Sequence, residues 1–492
     1  MKRYHAQIVS LTLSIALLAT PIFTTGFSHA ETGHKQTIVD TFAEGVSGSS
    51  EVFALPDSEV QKIINNVETN YHAVQLKCES ISTGPCGSKT GLSFRIYLPK
   101  CVTGTSEFCI SGFSMGPSNS ASLQSAQFLD YAAGHTYEAD PVRGFPGASS
   151  PSKWRVSGVL NSAGTDTYAV KVLIDGFLSS SSKKLFVFEA SAVVEGYSEL
   201  ALPKQADGQP GSSPLCNSWQ GDGVCGVHAN LQEGQRIKLS LHLPNTVTGW
   251  LHGRLKNQTI AVNTIDANQN EVSVEADTVL VPELNTVLTD AQFNSLPNPS
   301  YFTSNGQNWD SVNGGNTAAL EWIKQLSGVL KDTATGEHST WSFSTAPGNA
   351  NSNPCFADKT QLIGLVTTNA LAYSPGAPVF DGTQLNYQVA GLHYRPDGFN
   401  PNIGTYDLSI RSATARCLYR FTNAPLSATV SVTDGSGGEK QIATTVLTEK
   451  DGWLHLGAYG FTFSSPVLHV KFKQASSITS TSKQTSSNSS GA

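Results

Sequence analysis

Apolar residues alternate with polar ones in short runs along most of this chain. The pattern is most regular in residues 362–472, where it appears in four runs: 385–389, 406–410, 426–432 and 468–472. A period of two places one side of each run on a hydrophobic core and the other side toward water. This last large module is therefore predicted to be an antiparallel β-domain.

Turn residues separate these runs. Residues 396–398 read Pro-Asp-Gly, residues 451–452 read Asp-Gly, and residues 434–438 read Asp-Gly-Ser-Gly-Gly. Such residues supply the backbone conformations that tight turns require. Because 434–438 lies between two alternating runs, it predicts a β-hairpin.

Three stretches show helical spacing instead. Residues 58–73 are predicted to form a helix with Asp57 or Ser58 as its N-cap, and 118–133 a short helix. Residues 317–330 place Leu320, Ile323 and other apolar residues on one face, with Asn316 as the predicted N-cap. We expect this last helix to bridge the second β-block and the last module.

The predicted fold is mainly β, with tandem antiparallel β-sandwich-like domains and one or two short linking helices. Alternation recurs earlier in the chain, at 168–174 and 237–243, and a stretch rich in Gly, Pro and Ser at 205–214 indicates a boundary. The predicted organisation is a signal peptide (1–30), an N-terminal segment with one helix (31–75), β domains (76–205, 206–300 and 351–475), a helical connector (301–350) and a disordered Ser/Thr tail (476–492).

The composition is that of an extracellular β-protein. Charged residues make up 14% of the 492, against about 25% in typical globular chains. The formal net charge is −7, which argues against nucleic acid or an anionic membrane surface as a partner.

The N-terminus predicts export. Lys2 and Arg3 precede an apolar stretch at 8–23, and Ser28-His29-Ala30 has the small-x-small pattern of a cleavage site. A membrane anchor is the alternative, but the apolar stretch is short and contains Pro21. We expect a secreted protein, extracellular or associated with the cell envelope, with no membrane span after the leader is removed.

The cysteines are even in number, and in an exported chain they predict disulfides. They are Cys78, Cys86, Cys101, Cys109, Cys216, Cys225, Cys355 and Cys417. Proximity along the chain pairs them in that order, 78 with 86, 101 with 109, 216 with 225 and 355 with 417. Other pairings among the first four stay open. No spacing of the C-x2-C type points to zinc.

Two motifs imitate functional sites. Residues 112–116 fit the G-x-S-x-G nucleophile elbow around Ser114, but an elbow needs a strand before it and a helix after it, and the surroundings indicate antiparallel strands. Residues 266–270 begin like a calcium loop, yet Glu271 stands where Gly is required and Asp277 where Glu is required. A hairpin turn is the preferred interpretation. We predict no catalytic residue, no metal and no cofactor.

Histidine and tryptophan are the other candidates for chemistry. His242 and His252 could be neighbours across a hairpin, although opposing apolar faces explain them better than a metal site does. Exposed tryptophans could stack on sugar rings. We expect instead that four of them anchor the core: Trp154, Trp250, Trp322 and Trp453.

A tetrapeptide, Gly-Trp-Leu-His, occurs at 249–252 and again at 452–455. Each copy follows an alternating strand by five or six residues. About one such match is expected by chance in a chain this long. Two explanations therefore stay open: two related β-domains, or coincidence.

Several longer segments resemble a group of exported actinobacterial proteins of unknown function. The longest reads Leu-Asn-Tyr-Gln-Val-Ala-Gly-Leu-His-Tyr at 385–394. The others are 248–254, 365–370, 404–408, 415–419, 449–454 and 459–463. The resemblance implies secretion and β-rich modules, and it carries no catalytic residue.

The sequence thus predicts an exported, non-catalytic protein of the cell surface or medium, with a structural or binding role. Its expected partners are a cell-wall glycan or another surface protein. Two alternatives stay open: a secreted hydrolase acting on envelope esters or glycans, and an array of carbohydrate-binding β-modules.

Overall fold

Antiparallel strands dominate the described part of the chain, as the alternating pattern predicts. A computed structural model describes residues 37–41, 48–65, 76–102, 108–205, 211, 213, 216, 220–221, 223–299, 317–346, 353–356, 360–422, 426–433, 439–441, 444–463 and 467–474. The fold is 54% strand and 12% helix. Residues 35–492 form one compact unit, and the description concerns that unit.

The strands in the first half of the chain are β1 (Thr37–Thr41), β2 (Glu51–Leu55), β3 (Leu76–Lys77), β4 (Gly91–Tyr97), β5 (Cys109–Pro117), β6 (Gln124–Ser125), β7 (Gln127–Tyr131), β8 (Ser152–Arg155), β9 (Thr167–Leu178), β10 (Leu185–Ala201), β11 (Gln220–Gly221), β12 (Val224–Ala229), β13 (Gln235–Pro244) and β14 (Gly249–Arg254).

Those that follow are β15 (Lys256–Thr264), β16 (Gln269–Asp277), β17 (Val279–Leu288), β18 (Gly336–Thr345), β19 (Leu362–Thr368), β20 (Ala372–Tyr373), β21 (Val379–Phe380), β22 (Leu385–Ala390), β23 (Ile403–Arg411), β24 (Leu426–Thr433), β25 (Glu439–Gln441), β26 (Thr444–Lys450), β27 (Trp453–Thr462) and β28 (Val467–Gln474). The described α-helices are α1 (Asp57–Ile64), α2 (Asp290–Asn294), α3 (Thr317–Val329) and α4 (Ser412–Tyr419).

Three sheets organise these strands. A large sheet contains the neighbouring strands β18, β14, β19, β23, β27 and β26, a five-stranded sheet has the order β15-β16-β13-β5-β6, and a six-stranded sheet contains β20-β22-β28-β24-β25 with β21 beside β22. Among the described pairs only β14 and β19 run parallel.

The middle of the large sheet is covered on both faces. Leu251, Leu365 and Trp453 lie in a hydrophobic core shared with the five-stranded sheet. Neighbouring residues on the same strands, such as Trp250 and Leu454, lie in a second core shared with the six-stranded sheet. Side chains alternate along a strand, so one strand can contribute to both cores.

Strand pairing crosses the predicted domain boundaries. β5, from the segment predicted as the first β domain, pairs with β13 of the second. β14 pairs in turn with β19 of the last module. Sheets are therefore shared across these predicted boundaries.

The helix predictions had mixed outcomes. α3 covers the amphipathic run at 317–330, and its buried Leu320 and Ile323 pack with Leu284 of β17 and Leu392 of the last module. α1 covers the first part of the helix predicted at 58–73, of which residues 66–73 lie outside the described residues. Its N-cap is Pro56, without a side-chain capping bond. Asn316 lies outside the described residues.

The prediction of a helix at 118–133 was wrong. That segment contains β6 and β7, and β7 pairs with β8. Phe128 contacts Trp154 with ring centroids 5.3 Å apart. Packing across the ladder thus overrides the weak helical spacing of the sequence. The sequence also missed β18, which lies in the stretch expected to be a helical connector.

All four predicted cysteine pairs lie within disulfide distance. Their Cα–Cα separations are 5.9 Å for Cys78–Cys86, 4.9 Å for Cys101–Cys109, 5.4 Å for Cys216–Cys225 and 5.8 Å for Cys355–Cys417. The last pair ties the segment before β19 to α4, which lies 62 residues further along the chain.

Two other sequence predictions concern residues that are only partly described. β24 and β25 pair antiparallel as a hairpin requires, although 434–438 itself lies outside the described residues. The signal peptide and the Ser/Thr tail lie outside them as well. No helix within the described ranges has both the length and the apolar character needed to cross a membrane.

Candidate functional site: a cleft between two sheets

A row of polar side chains on β23 faces the five-stranded sheet. Tyr406, Leu408 and Ile410 point into the core shared with the six-stranded sheet. The alternate residues, Asp407 and Ser409 among them, therefore face the opposite way. Asp407 and Ser409 are almost completely buried. A row of buried polar residues inside a sandwich is uncommon, because each polar group needs a partner there.

Asp407 is the centre of a hydrogen-bond network. Its Oδ1 lies 2.8 Å from Nε2 of His455, and it accepts hydrogen bonds from the Tyr459 hydroxyl at 2.7 Å and from the Asn257 backbone N–H at 3.1 Å. His455 and Tyr459 belong to β27, whereas Asn257 belongs to β15. One carboxyl oxygen thus joins the two sheets.

The backbone at Gly457 makes this network possible. Gly457 is the residue opposite Asp407 across the β23–β27 ladder. A Cβ atom there would clash with the phenol ring of Tyr459. Burial, followed by the nearby Asp407, raises the pKa of Tyr459 above its usual value. Tyr459 consequently stays protonated and acts as a hydrogen-bond donor to Asp407 at ordinary pH.

On this face of β23, three buried oxygens have no hydrogen-bond partner within the described protein. They are Thr405 Oγ1, Asp407 Oδ2 and Ser409 Oγ. Buried polar atoms in native proteins are nearly always bonded to protein or ordered water. This row therefore offers hydrogen-bonding capacity to small polar molecules.

A cleft of about 420 Å³ opens beside this row, and we call it the inter-sheet cleft. One wall consists of residues 258–263 of β15 together with neighbouring side chains of β13 and β16. The facing wall is formed by residues of β23, β26 and β27: Ser409, Arg411, Thr448, Lys450, Trp453 and His455, with Asp451 from the turn between β26 and β27. Its volume falls in the usual range for small-ligand sites.

The cleft lies between two edge strands. Within the described strands, β15 pairs only with β16, and β26 pairs only with β27. The start of β15 is held to the large sheet, because Gln258 Nε2 donates to the Leu365 carbonyl at 3.1 Å and the Asn257 N–H reaches Asp407. The bonds from Asn257 and Gln258 thus fasten β15 to the large sheet at one end of the cleft.

Cationic side chains are prominent in the lining. Lys238, Arg411 and Lys450 line the cleft, and the guanidinium of Arg411 lies 4.4 Å from the centre of the Trp453 ring. The lining acids are Glu275, which Arg236 engages at 2.7 Å, and Asp451, which lies 4.0 Å from Lys450. The balance favours a ligand with negative charge.

A second cleft, of about 310 Å³, lies at the other end of the polar row. Thr405 lines it, together with Lys256, Asp277 and Arg395. The Lys256 ammonium lies 5.1 Å from the centre of the Tyr459 ring. The polar row of β23 therefore runs from one cleft to the other, with Asp407 between them.

The sequence motifs that imitate functional sites lie elsewhere. Ser114 sits in the middle of β5, with Lys238 of β13 opposite it on one side and Ser125 of β6 on the other. This is not the strand–turn–helix geometry of a nucleophile elbow. Ser114 does not lie among the residues of the inter-sheet cleft.

The predicted hairpin turn at 266–270 connects β15 and β16, which pair antiparallel. Asp266 Oδ1 accepts the Asn268 backbone N–H at 2.7 Å. Its Oδ2 accepts the Gln269 side chain at 2.8 Å. Both oxygens thus serve the turn, which agrees with the preferred interpretation of this segment.

One group of potential metal ligands occurs among the described residues, at Cys101, Cys109 and His242. The two cysteines are paired with each other, so neither supplies the thiolate that a metal requires. His242 Nδ1 lies 3.8 Å and 3.7 Å from the two sulfurs. His252 lies on β14 and instead contacts the Tyr373 hydroxyl at 3.1 Å.

The tryptophans within the described ranges are core residues. Trp154, Trp250, Trp322, Trp341 and Trp453 are all 6% exposed or less, which matches the expectation for the four named from the sequence. None of these five offers an open face for stacking on a sugar ring. Trp219 and Trp309 lie outside the described residues.

Sequence reasoning did not identify the residues of the inter-sheet cleft as a site. Asp407 and Ser409 alternate with apolar residues, as solvent-facing positions of a strand do. The repeated Gly-Trp-Leu-His was the one sequence feature that could have pointed to the cleft, because its second copy contains both Trp453 and His455.

Comparison with known proteins assigns no family or relative to this chain. No family model matches the chain, and neither a curated protein nor a solved structure matches it.

Proposed function

We propose that this chain is an exported, non-catalytic binding protein of the cell surface or medium, and that it binds a polar, negatively charged ligand in the inter-sheet cleft. The single observation that carries the proposal is a cleft of ligand size whose lining combines an open strand edge with three cations. The four cysteine pairs support an oxidising compartment outside the cytoplasm.

The Asp407 network supports binding in preference to catalysis. Oδ1 of Asp407 is occupied by contacts from His455, Tyr459 and Asn257. These contacts hold the start of β15 against the large sheet and so define the end of the cleft. The network has a clear positioning role, which resembles that of a scaffold around a preformed site.

A cleft-filling variant tests the proposal. Ala261 is exposed on β15 and lines the cleft, so Ala261→Trp should fill it and leave the fold intact. Ser427→Trp, at an exposed position on β24, is the matched control. The three proteins are compared on arrays of acidic glycans and peptides, after fractionation of the producing cells into medium, wall and membrane.

The proposal predicts ligands that bind the wild type and Ser427→Trp but not Ala261→Trp, with the protein in the medium or wall fraction. Binding that is equal in all three proteins would place the ligand elsewhere. Recovery of the protein from the cytoplasm would contradict export.

A secreted hydrolase is the second candidate, and one observation favours it. Ser409 lies opposite His455 across the β23–β27 ladder, and its hydroxyl is unpartnered within the described protein. His455 is in turn oriented by Asp407. In such a reaction Ser409 Oγ would attack an ester carbonyl, and His455 would take the hydroxyl proton and pass it to the leaving alcohol.

Ester hydrolysis separates the two candidates. Wild type, Ser409→Ala and Ser114→Ala are assayed with p-nitrophenyl esters of short acids. Hydrolysis by the wild type that disappears only in Ser409→Ala would establish the hydrolase. The binding proposal expects no hydrolysis above background in any of the three.

A further inference from the structure

We propose that the edge of β15 binds an extended, acidic peptide segment as an added strand within the inter-sheet cleft. This inference rests on the proposed binding function and names the class of ligand. It arises from the placement of the edge strand, its lack of protection and the charges around it.

The edge of β15 follows the cleft. Six consecutive residues, 258–263, line it, and β15 has no strand partner on this side within the described residues. Alternate residues of an edge strand direct their backbone N–H and C=O groups away from the sheet. An extended peptide can pair with these groups, as in strand addition to exposed sheet edges.

This edge lacks the usual protection against pairing. Natural edge strands are blunted by proline, charged side chains or bulges. The bulge in β15 lies between Lys256 and Thr259, at the end fastened to Asp407. Residues 259–263 contain neither proline nor a charged residue. The unprotected part of the edge is therefore the part that lines the cleft.

The facing wall supplies recognition of side chains. Successive residues of an added strand would point to opposite sides. One set would face the bottom of the cleft, where Trp453 and Ile260 provide apolar surface. The other set would lie near Lys238 and Lys450, which favour carboxylates. An alternation of acidic and β-branched residues fits both sides.

The charges argue for an acidic partner and against a basic one. Three cations, Lys238, Arg411 and Lys450, line the cleft against two acids, Glu275 and Asp451. Arg236, which lies outside the lining, pairs with Glu275 and adds to the positive side. The chain as a whole has a net charge of −7. The cleft is therefore a local positive region on an acidic protein, and it should attract acidic segments selectively.

Selection from a display library of random octapeptides tests the inference on the full mature chain. The wild type is used for selection, with Ala261→Trp for counter-selection. The selected peptides are then synthesised in three forms: unmodified, N-methylated at odd positions and N-methylated at even positions. N-methylation removes backbone donors and leaves the side-chain sequence unchanged.

We expect acidic sequences to be enriched, and one of the two N-methylated forms to bind at least about tenfold more weakly than the other, because only alternate residues pair with the edge. Lys238→Gln combined with Lys450→Gln should weaken binding about tenfold. The matched control is Lys471→Gln with Lys473→Gln, two exposed lysines on β28, which should leave binding unchanged.

The outcomes separate this inference from the function on which it rests. Strand addition would be overturned if the two N-methylated forms of a selected peptide bound the protein equally well. It would also be overturned if the selected peptides were not acidic. Failure to select any peptide excluded by Ala261→Trp would overturn it also. If acidic oligosaccharides bind the cleft while no peptide does, the binding function stands and the peptide inference falls.

Discussion

The two copies of Gly-Trp-Leu-His share the backbone conformation of their glycine but direct their side chains to different cores. Gly249 and Gly452 both have a positive φ, 80° and 77°, and both precede a buried tryptophan. Trp250, however, lies in the core shared with the six-stranded sheet, whereas Trp453 lies in the core on the opposite face of the same sheet. The same tetrapeptide therefore presents its side chains in opposite directions.

The two histidines follow these directions. His252 lies 3.1 Å from the Tyr373 hydroxyl and 3.0 Å from the Ser344 hydroxyl, and neither hydroxyl lines the inter-sheet cleft. His455 lies 2.8 Å from the carboxyl group of Asp407 and lines that cleft. Identical local sequence thus gives a structural histidine in one place and a site histidine in the other, because the surrounding layers differ.

Removing the carboxyl group of Asp407 should be the most damaging change. Asp407→Ala leaves the contacts of His455 and Tyr459 unsatisfied in a buried position, and we expect a loss of about 3 kcal/mol in the free energy of unfolding. Urea denaturation measures it. A loss below about 1 kcal/mol would mean that the network does not hold the sheets together.

A second buried acid sharpens the contrast. Asp175 on β9 has Arg95 at 3.8 Å, and among the residues that the structure describes it has no set of donors comparable to that of Asp407. Burial, opposed by Arg95, raises its pKa to about 6. In the unfolded chain Asp175 ionises near pH 4, whereas in the folded protein its raised pKa keeps it protonated to about pH 6. The contribution of Asp175 to the free energy of unfolding is therefore fully present below pH 4 and is lost as the pH rises through 6.

The wild type should therefore lose about 2 kcal/mol of unfolding free energy from this group between pH 4 and pH 8. Asp175→Asn should remove that part of the pH dependence. Denaturation at a series of pH values tests it, and an unchanged slope in the variant would assign the dependence to other groups.

Exchanging each histidine for glutamine tests the comparison directly. We expect His252→Gln and His455→Gln each to lose about 1–2 kcal/mol of stability, because both are buried and hydrogen-bonded. Only His455→Gln should also alter ligand binding in the cleft. Equal effects of both variants on binding would contradict the assignment of different roles.

The smallest effect is expected at the shared glycine. Asp451 and Gly452 both have a positive φ, as the two-residue turn between β26 and β27 requires. Space around Gly452 is open, so Gly452→Ala should cost only about 1 kcal/mol of backbone strain. Thermal unfolding measures it, and a larger loss would indicate contacts beyond the backbone.

Much of the architecture was predictable because it depends on local patterns of apolar and polar residues. Alternation identified β13, β22 and β28, and the spacing of apolar residues identified α3. Proximity suggested the cysteine pairs that the structure contains, although it left other pairings among the first four open. The helix expected at 118–133 failed because contacts with β8 decide the conformation of that segment, and such contacts have no local signature.

The candidate site was not predictable in the same way. Asp407 and Ser409 have the pattern of residues that face water, and they face a second sheet instead. That difference depends on which strands stack upon β23, and the stacking partners come from residues about 150 positions earlier in the chain, as the bond from Asn257 to Asp407 shows.

By itself, the sequence determined the strand-rich character and the glycines that accept positive φ, because each depends on neighbours along the chain. Only the tertiary structure decided which polar residues are buried and where a strand edge stays open. The reason is physical: a side chain's burial depends on the layer opposite to it, and a strand does not specify that layer.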